Sequence, residues 1–563
     1  MFQWGRSILS VVRANGSFRA WRVIALLSVA LLLCIVQAAH ATTYYVDSVY
    51  GTDTSAGTSA STPWQTLAKV NATTFSHGDF ILFRAGETWA GQLHPLGNGW
   101  AGSPITISSY STGAMPVING GSLSGGGAVY LYNQSYWTIQ NLEVVSNSGV
   151  DNFGTATTPG VNRSGIFVDN EGGGSLSGIT IQYNYVHDVN GCFYCNGYDA
   201  HVNGGIVVVA DGANELGLFG LSLDGYNGVT ISHNTVSNLG RTGITFYDNS
   251  TGILLSLLPF ELSAGVVIQA NSVNTVDSDG IIVSGTDGTL IDHNVVANAG
   301  QKTIAPPSDG SSAPGATEPS SIGIWPTRSE NTTIQYNEVY GTLTHTTDGQ
   351  GFDVDGVCIN TIVQYNYSHD NQGGFLIMED VNGTSSNITV RYNLSVNDSY
   401  GGLKGVFTFG DGGVVSGTSI YNNTVYIAAG LPSQPMYCDL CTTPPPSGTW
   451  SFENNIIANF GTGQYVYPPP SGGGVITNNL FYGNHPTSEP ADPNKVTSDP
   501  QFVSASSTAP VGLASVSGYQ VSNASPAVGN GVVIPSNGGQ DYFGRPVSAT
   551  ADPTRGFFEE QTF

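Results

Sequence analysis

One stretch of the chain holds residues whose types and spacing could do chemistry. Asp353 and Asp355 stand two apart in Gly351-Phe-Asp-Val-Asp355, so on an extended strand their side chains share a face. Glu379 and Asp380 follow 24 and 25 residues after Asp355, and Lys404 lies one similar interval further on. Carboxylates held that close push one another's pKa apart, which suits one to act as a general acid and the other to stay ionised. The same acids, Asp353, Asp355 and Asp380, would also suit Ca²⁺, a hard cation that takes several carboxylate oxygens. Lys404, with Arg391 in support, would be the base of an elimination reaction next to a uronate carboxyl.

Positioning these groups requires a regular scaffold, and the chain repeats itself. A glycine followed by an alternating apolar stretch recurs at Gly165, Gly205, Gly243, Gly280, Gly323, Gly351, Gly374 and Gly405. With the glycines aligned, the first and third following residues, such as Phe352 and Val354 or Phe375 and Ile377, are expected to point inward. The second and fourth then point outward: Phe167 and Asp169, Thr245 and Tyr247, Trp325, Asp353 and Asp355, Leu376 and Met378, Phe407 and Phe409. Outward aromatic rings are costly to expose, and sugar rings stack on aromatic faces. Trp325, Tyr247, Phe167, Phe407 and Phe409 are therefore candidates to bind a glycan, unless loops cover the row.

An apolar-x-x-Asn turn runs in phase with the glycines, from Ile181-Gln-Tyr-Asn184 through Ile231-Ser-His-Asn234 and Val363-Gln-Tyr-Asn366 to Phe452-Glu-Asn-Asn455 and a weaker copy ending at Asn479. The shortest interval is 23 residues, from Asn271 to Asn294. Such a repeat predicts an all-β fold, a single-stranded right-handed parallel β-helix (solenoid) whose rungs share one apolar interior. Asn suits the turn because it tolerates left-handed backbone and its amide reaches the equivalent Asn of the next rung. Residues 42–120 are expected to form an N-terminal cap and first rungs with one short helix near Thr66 to Val70. Residues 121–485 would form the coils and 486–563 an irregular C-terminal cover. Insertions at about 188–227, 299–320, 428–449 and 463–474 would project as walls. His187-Asp188 and His369-Asp370 recur at the same place after the Asn turn, which marks structural turn pairs.

The capping segment, the Asn-marked coils and the terminal block resemble secreted right-handed β-helix proteins that act on polysaccharides, glycoside hydrolases and lyases alike. The segment from Gly351 to Asn366, followed by Gly374-Phe-Leu-Ile-Met-Glu379, is similar to the active-site stretch of β-helix glycoside hydrolases of the β-xylosidase type. That resemblance implies Asp355 as nucleophile and Glu379 as acid/base, with no cofactor required. A Ca²⁺-dependent lyase using Lys404 and a non-catalytic glycan-binding adhesin are the alternatives.

Charge and compartment narrow the partners. Arg6, Arg13, Arg19 and Arg22 precede an apolar run from Val23 to Val36 and an Ala39-His-Ala41 site, the pattern of a secretory signal over residues 1–41. Without it, 15 basic residues less 4 leave 11 against 40 acids, a formal charge near −29. Nucleic acid is thereby excluded as a partner, and a neutral or weakly charged polysaccharide or oligosaccharide is favoured. The product is expected to be secreted or periplasmic, monomeric, and free of the membrane once the signal is cut. In that compartment Cys192-x-x-Cys195 and Cys438-x-x-Cys441 favour disulfides over a zinc site, and Cys358, inside a repeat, reads as a core residue.

Overall fold

The apolar-x-x-Asn repeats stack in register, and their asparagines form a continuous buried ladder. The backbone N–H and Nδ2 of Asn184 both donate to Oδ1 of Asn234, at 3.0 Å each. The same double contact repeats from Asn234 to Asn271, Asn294, Asn337, Asn366, Asn393, Asn423, Asn455 and Asn479. Each Nδ2 also donates to a main-chain carbonyl of the preceding rung, as Asn366 does to Ile334 O. The last amide, Asn479, donates to Oδ2 of Asp492. A carboxylate ends the ladder without presenting a further donor. The left-handed residue at each turn is the one before the asparagine, for example Tyr365 (φ 57°) or His233 (φ 56°), and not the asparagine itself. The expectation of left-handed Asn is corrected by one position: the ladder consumes the amide, so the preceding residue makes the bend.

The computed structural model describes residues 41–121, 123–149, 152, 154, 158–195, 201–210, 224–249, 263–301, 321–344, 348–379, 385–410, 415–439, 450–466 and 474–560. Of the two compact units, Met1–Ala41 and Thr42–Phe563, only the second is described below. The expected signal falls in the first. Three parallel sheets run along the second unit. The first has 15 strands, from Thr43–Val46 to Gly474–Thr477; the second has 13, from Thr88–Ala90 to Leu480–Gly483; the third has 10, from Gly126–Tyr132 to Gln434–Cys438. Within them the inward apolar row Ile181, Ile231, Ile268, Ile291, Ile334, Val363, Val390, Ile420 and Phe452 is completely buried or nearly so, each side chain contributing about 1.5–3 kcal/mol on burial.

The glycine row has a separate cause. A Cβ at Gly243, Gly280 or Gly323 would come within 2.4–2.5 Å of the next rung's carbonyl and within 2.2–2.5 Å of Val273, Val296 or Val339 in the second sheet. The third sheet approaches the second too closely for any side chain at these positions. The row holds from Gly165 to Gly351 and then slips by one residue, because Gln350 pairs with Gly374 and Phe352 with Leu376. Phe375 and Val406 take the glycine position on the last rungs. The second-sheet row reads Val339, Ser368, Ser395 and Val425 over these rungs.

The short helix forms at Leu67–Asn71, capped by Thr66 Oγ1 accepting from Lys69 N. The cover, residues 486–560, seals one flank of the later rungs: Tyr367 Oη donates to Pro510 O at 2.8 Å and Tyr365 Oη to Gln540 O at 3.1 Å. His369 is buried there between Glu338 and Asp370, and Glu338 also accepts from Gly512 N. His187 repeats the arrangement with Glu143 and Asp188. Both pairs are structural, as their recurrence suggested. Cys192 and Cys195 are joined as a disulfide. Cys438 is disulfide-bonded, Cys441 lies outside the described residues, and Cys358 is a free thiol in the core.

Asn366→Ala leaves buried donors and acceptors of Asn337 and Asn393 unpaired and should cost about 2–4 kcal/mol. Asn360→Ala removes a contact to Asn331 in the exposed series and should cost less than about 1 kcal/mol. Urea denaturation of the two variants reads the difference.

Candidate active site

The slip in the glycine row decides which acids meet. Asp353 pairs with Ile377 and Val354 with Met378, so Asp355 and Glu379 come next on adjacent rungs, both on the outward face. Strands lie about 4.8 Å apart, within reach of the about 5–5.5 Å that separates the carboxyl groups of a retaining glycosidase. Asp355 N continues the ladder to Pro326 O at 3.1 Å, and Gly356 N donates to its Oδ1. The Glu379 side chain lies over Gly410, where a Cβ would sit 3.0 Å from Glu379 Cγ. The turn leading into these strands is held by a second ladder, in which Thr342 N donates to Asn371 Oδ1 and Asn371 N to Asp398 Oδ1. Burial pushes the Asp398 carboxyl up to about 7, against the hydrogen bonds it accepts from Ser368 and Ser395.

Asp353 is buried, 6 % exposed, and its Oδ1 has no hydrogen-bond partner among the described residues. Burial, followed by the charges of Glu379, Asp355 and Asp348, holds its carboxyl well above the usual range. Asp348 joins the group from the connecting segment ahead of the strand, beyond the reach of the strand alternation that singled out the other acids. Asp380 lies outside the described residues, as do the segments 302–320, 345–347, 380–384, 411–414 and 440–449. Among the described residues no three His, Cys, Asp or Glu side chains are grouped to hold a metal ion.

Lys404 is on the next rung, and its Nζ pairs with Asp439, which follows the last strand of the third sheet. Burial alone would lower the lysine's pKa, but the bond to Asp439 and the charges of Asp439 and Asp348 outweigh it and raise the pKa. Arg391 does not support this group. It sits on the first sheet, donating to Gln364, Tyr421 and Ser536 O under the C-terminal cover, because its strand belongs to a different side of the rung.

The aromatic row is corrected in two ways. Phe407 and Phe409 are core residues, and Leu376 and Met378 point inward with them while Ile377 faces out. The slip moves every side chain of those rungs by one place, and a one-residue shift exchanges the faces of a strand. Phe167 and Trp325 do face outward but are covered, at 3 % and 8 % exposure. Trp325 packs with Ile282, Ile322 and Ile377, and its Nε1 donates to Asp279. Tyr247 remains half-buried beneath the Arg328 guanidinium, 5.0 Å from its ring centre.

A carboxyl group with a raised folded-state pKa favours the fold below the unfolded value, and that contribution is lost as pH rises through the folded value. Wild type should therefore lose thermal stability relative to Asp353→Asn as pH rises above about 4. Melting curves of the two chains from pH 4 to 8 check this; parallel curves would contradict it.

A family model for the right-handed β-helix region matches residues 219–425. A lacto-N-biosidase of Bifidobacterium longum subsp. longum is 31 % identical over 526 residues, which covers 80 % of this chain and 31 % of that protein. The chain thus spans about a third of the length of this curated relative. Two crystal structures of a GH136 lacto-N-biosidase from Eubacterium ramulus are similar at 22 % identity. The selenomethionine derivative has a TM-score of 0.58 over 84 % of this chain and 73 % of that one; the native protein has 0.57 over 83 % and 70 %. Together with the register of the three sheets, these likenesses establish the fold as a right-handed parallel β-helix.

Proposed function

We propose that this chain is an extracytoplasmic glycoside hydrolase acting, as a monomer and without a metal, on a neutral or weakly charged oligosaccharide or polysaccharide. The observation that carries the reading is the register that sets Asp355 and Glu379 side by side on the outer face of adjacent rungs. Asp355 is the nucleophile in this reading and Glu379 the acid/base. Asp353 is a positioning residue: burial and the neighbouring carboxylates raise its pKa, which favours the neutral form and limits the negative charge of the cluster. The lacto-N-biosidase relatives support hydrolysis and make a lacto-N-bioside the first substrate to test. Among the described residues no helix is long and apolar enough to cross a membrane.

A second assignment of the acid is favoured by one observation. The charge of Asp348 raises the pKa of both Asp353 and Lys404, so it lies near the same cluster. Elimination is disfavoured because a lysine paired with Asp439 and raised in pKa stays protonated and is a poor base.

The test is release of aglycone from aryl glycosides, with an aryl lacto-N-bioside first in the panel. Asp355→Asn should lower turnover by about 10²–10⁴-fold or more, and Glu379→Gln should do the same. If Glu379→Gln is active and Asp348→Asn is not, the acid is Asp348. Full activity in Asp355→Asn contradicts the reading, as does an ultraviolet-absorbing unsaturated product. Treatment with a chelator should leave the rate unchanged.

A further inference from the structure

Under the C-terminal cover, one carboxylate oxygen serves two partners. Glu338 Oε1 accepts from Gly512 N of the cover at 2.6 Å and lies 3.3 Å from Nε2 of His369. At the other edge of the ring, His369 Nδ1 lies 3.1 Å from Oδ2 of Asp370. Both ring nitrogens thus face carboxylates. A neutral imidazole has one N–H and one lone pair, so it satisfies one carboxylate and turns the lone pair toward the other. The imidazolium donates to both. The ring is also stacked between Tyr340 at 4.7 Å and Tyr367 at 4.5 Å, and a cation is attracted to such faces.

The charges around the ring point the same way. Glu338 and Tyr340 reach it from one neighbouring strand, Tyr367 and Asp370 flank it on its own, and the next rung brings Asp398 to the ring and Tyr400 to Asp370. From the cover, Tyr519 acts on Asp370 and Tyr542 on Glu338. Of these groups only the imidazole can be a cation. Burial alone would lower its pKa, but the bonds to Asp370 and Glu338 and the charges of Asp398 and Asp370 outweigh it and raise the pKa. Such a group favours the docked state below about 6.5, and its contribution is lost as pH rises through the folded value. Asp398, pushed up to about 7 by burial, acts with the same sign.

A second copy of the arrangement shows what the cover adds. His187 faces Glu143 and Asp188 in the same way, but His187 and Glu143 are 16 % and 29 % exposed, against 2 % and 3 % for His369 and Glu338. Solvent can serve the carboxylates beside a neutral His187. Beside a neutral His369, Glu338 would be a buried charge without a counter-ion, which is strongly unfavourable.

We propose that His369 and Glu338 form a pH-operated latch, closed by the imidazolium, that holds cover residues 506–519 on the later rungs and releases them as the solution becomes alkaline. The bonds from Tyr367 Oη to Pro510 O and from Asn397 Nδ2 to Ser507 O belong to the same stretch and open with it. The part of the cover held by Arg391 at Ser536 O and by Asn454 at Val532 O stays docked. The latch is independent of any reaction at Asp355.

Hydrogen exchange of the full chain, corrected for the intrinsic rate at each pH and read by mass spectrometry, tests this. From about pH 5.5 to about pH 8.5, protection of residues 506–519 should fall about fivefold or more, and that of 530–540 should not change. Glu338→Gln keeps an acceptor for Gly512 N without the charge and should hold the segment protected at the higher pH. His369→Gln should leave it open already at the lower pH, whereas His187→Gln should keep the wild-type response. Equal protection of 506–519 at both pH values in wild type overturns the latch, as does the wild-type fall persisting in Glu338→Gln or in His369→Gln.

Discussion

The buried asparagine ladder is the constraint on which the rest of the molecule depends. A parallel sheet by itself tolerates slippage, and a one-residue slip exchanges the faces of a strand. Here each rung's asparagine gives both of its donors, main chain and side chain, to a single oxygen of the next rung, from Asn184 to Asn479. Leaving those buried amides unpaired would cost more than the bonds contribute net, so register is fixed once per rung whatever the length of the intervening insertion. The interval between successive asparagines ranges from 23 to 50 residues, yet the partners never change.

Fixed register at one corner lets the third sheet vary at another. Opposite Val273, Val296 and Val339 the third-sheet position is glycine, and so is Gly351 opposite Ser368; the row ends one rung later, where Phe375 takes the place. The one-place slip that follows sets Glu379 beside Asp355 instead of one residue beyond it. The result is an acidic cluster in which burial and three neighbouring charges act together on Asp353. The nearest lysine along the sheet, Lys404, is already paired with Asp439. Burial and repulsion both favour proton uptake by Asp353, and a raised pKa is the condition under which one carboxyl of a close set can serve as an acid.

Much of this was legible in the sequence because it rests on local pattern. The Asn turns, the alternation around Gly165 to Gly351, the Thr66-capped helix and the outward placement of Asp353 and Asp355 all follow from spacing and side-chain type. The rest depends on contacts between sheets. Phe407 and Phe409 read as outward because Gly405 looks equivalent to Gly351, and only the pairing of Gln350 with Gly374 and of Leu376 with Phe407 shows that it is not. Arg391 lies close to Lys404 in sequence but on another side of the rung, under a cover whose path has no periodic signal. Asp348 precedes its strand, where alternation says nothing. Phe167 and Trp325 face outward as expected, but whether a ring is covered depends on neighbours such as Val207 and Ile377 that no linear pattern identifies.

The most direct measurement is a crystal structure of the Glu379→Gln protein soaked with an oligosaccharide substrate. Asp355 and residue 379 should flank the glycosidic oxygen from adjacent rungs, with Asp353 behind them and out of contact with the sugar. A sugar bound with its glycosidic oxygen out of reach of Asp355, or residue 379 directed into the core, would contradict the assignment even with the asparagine ladder intact.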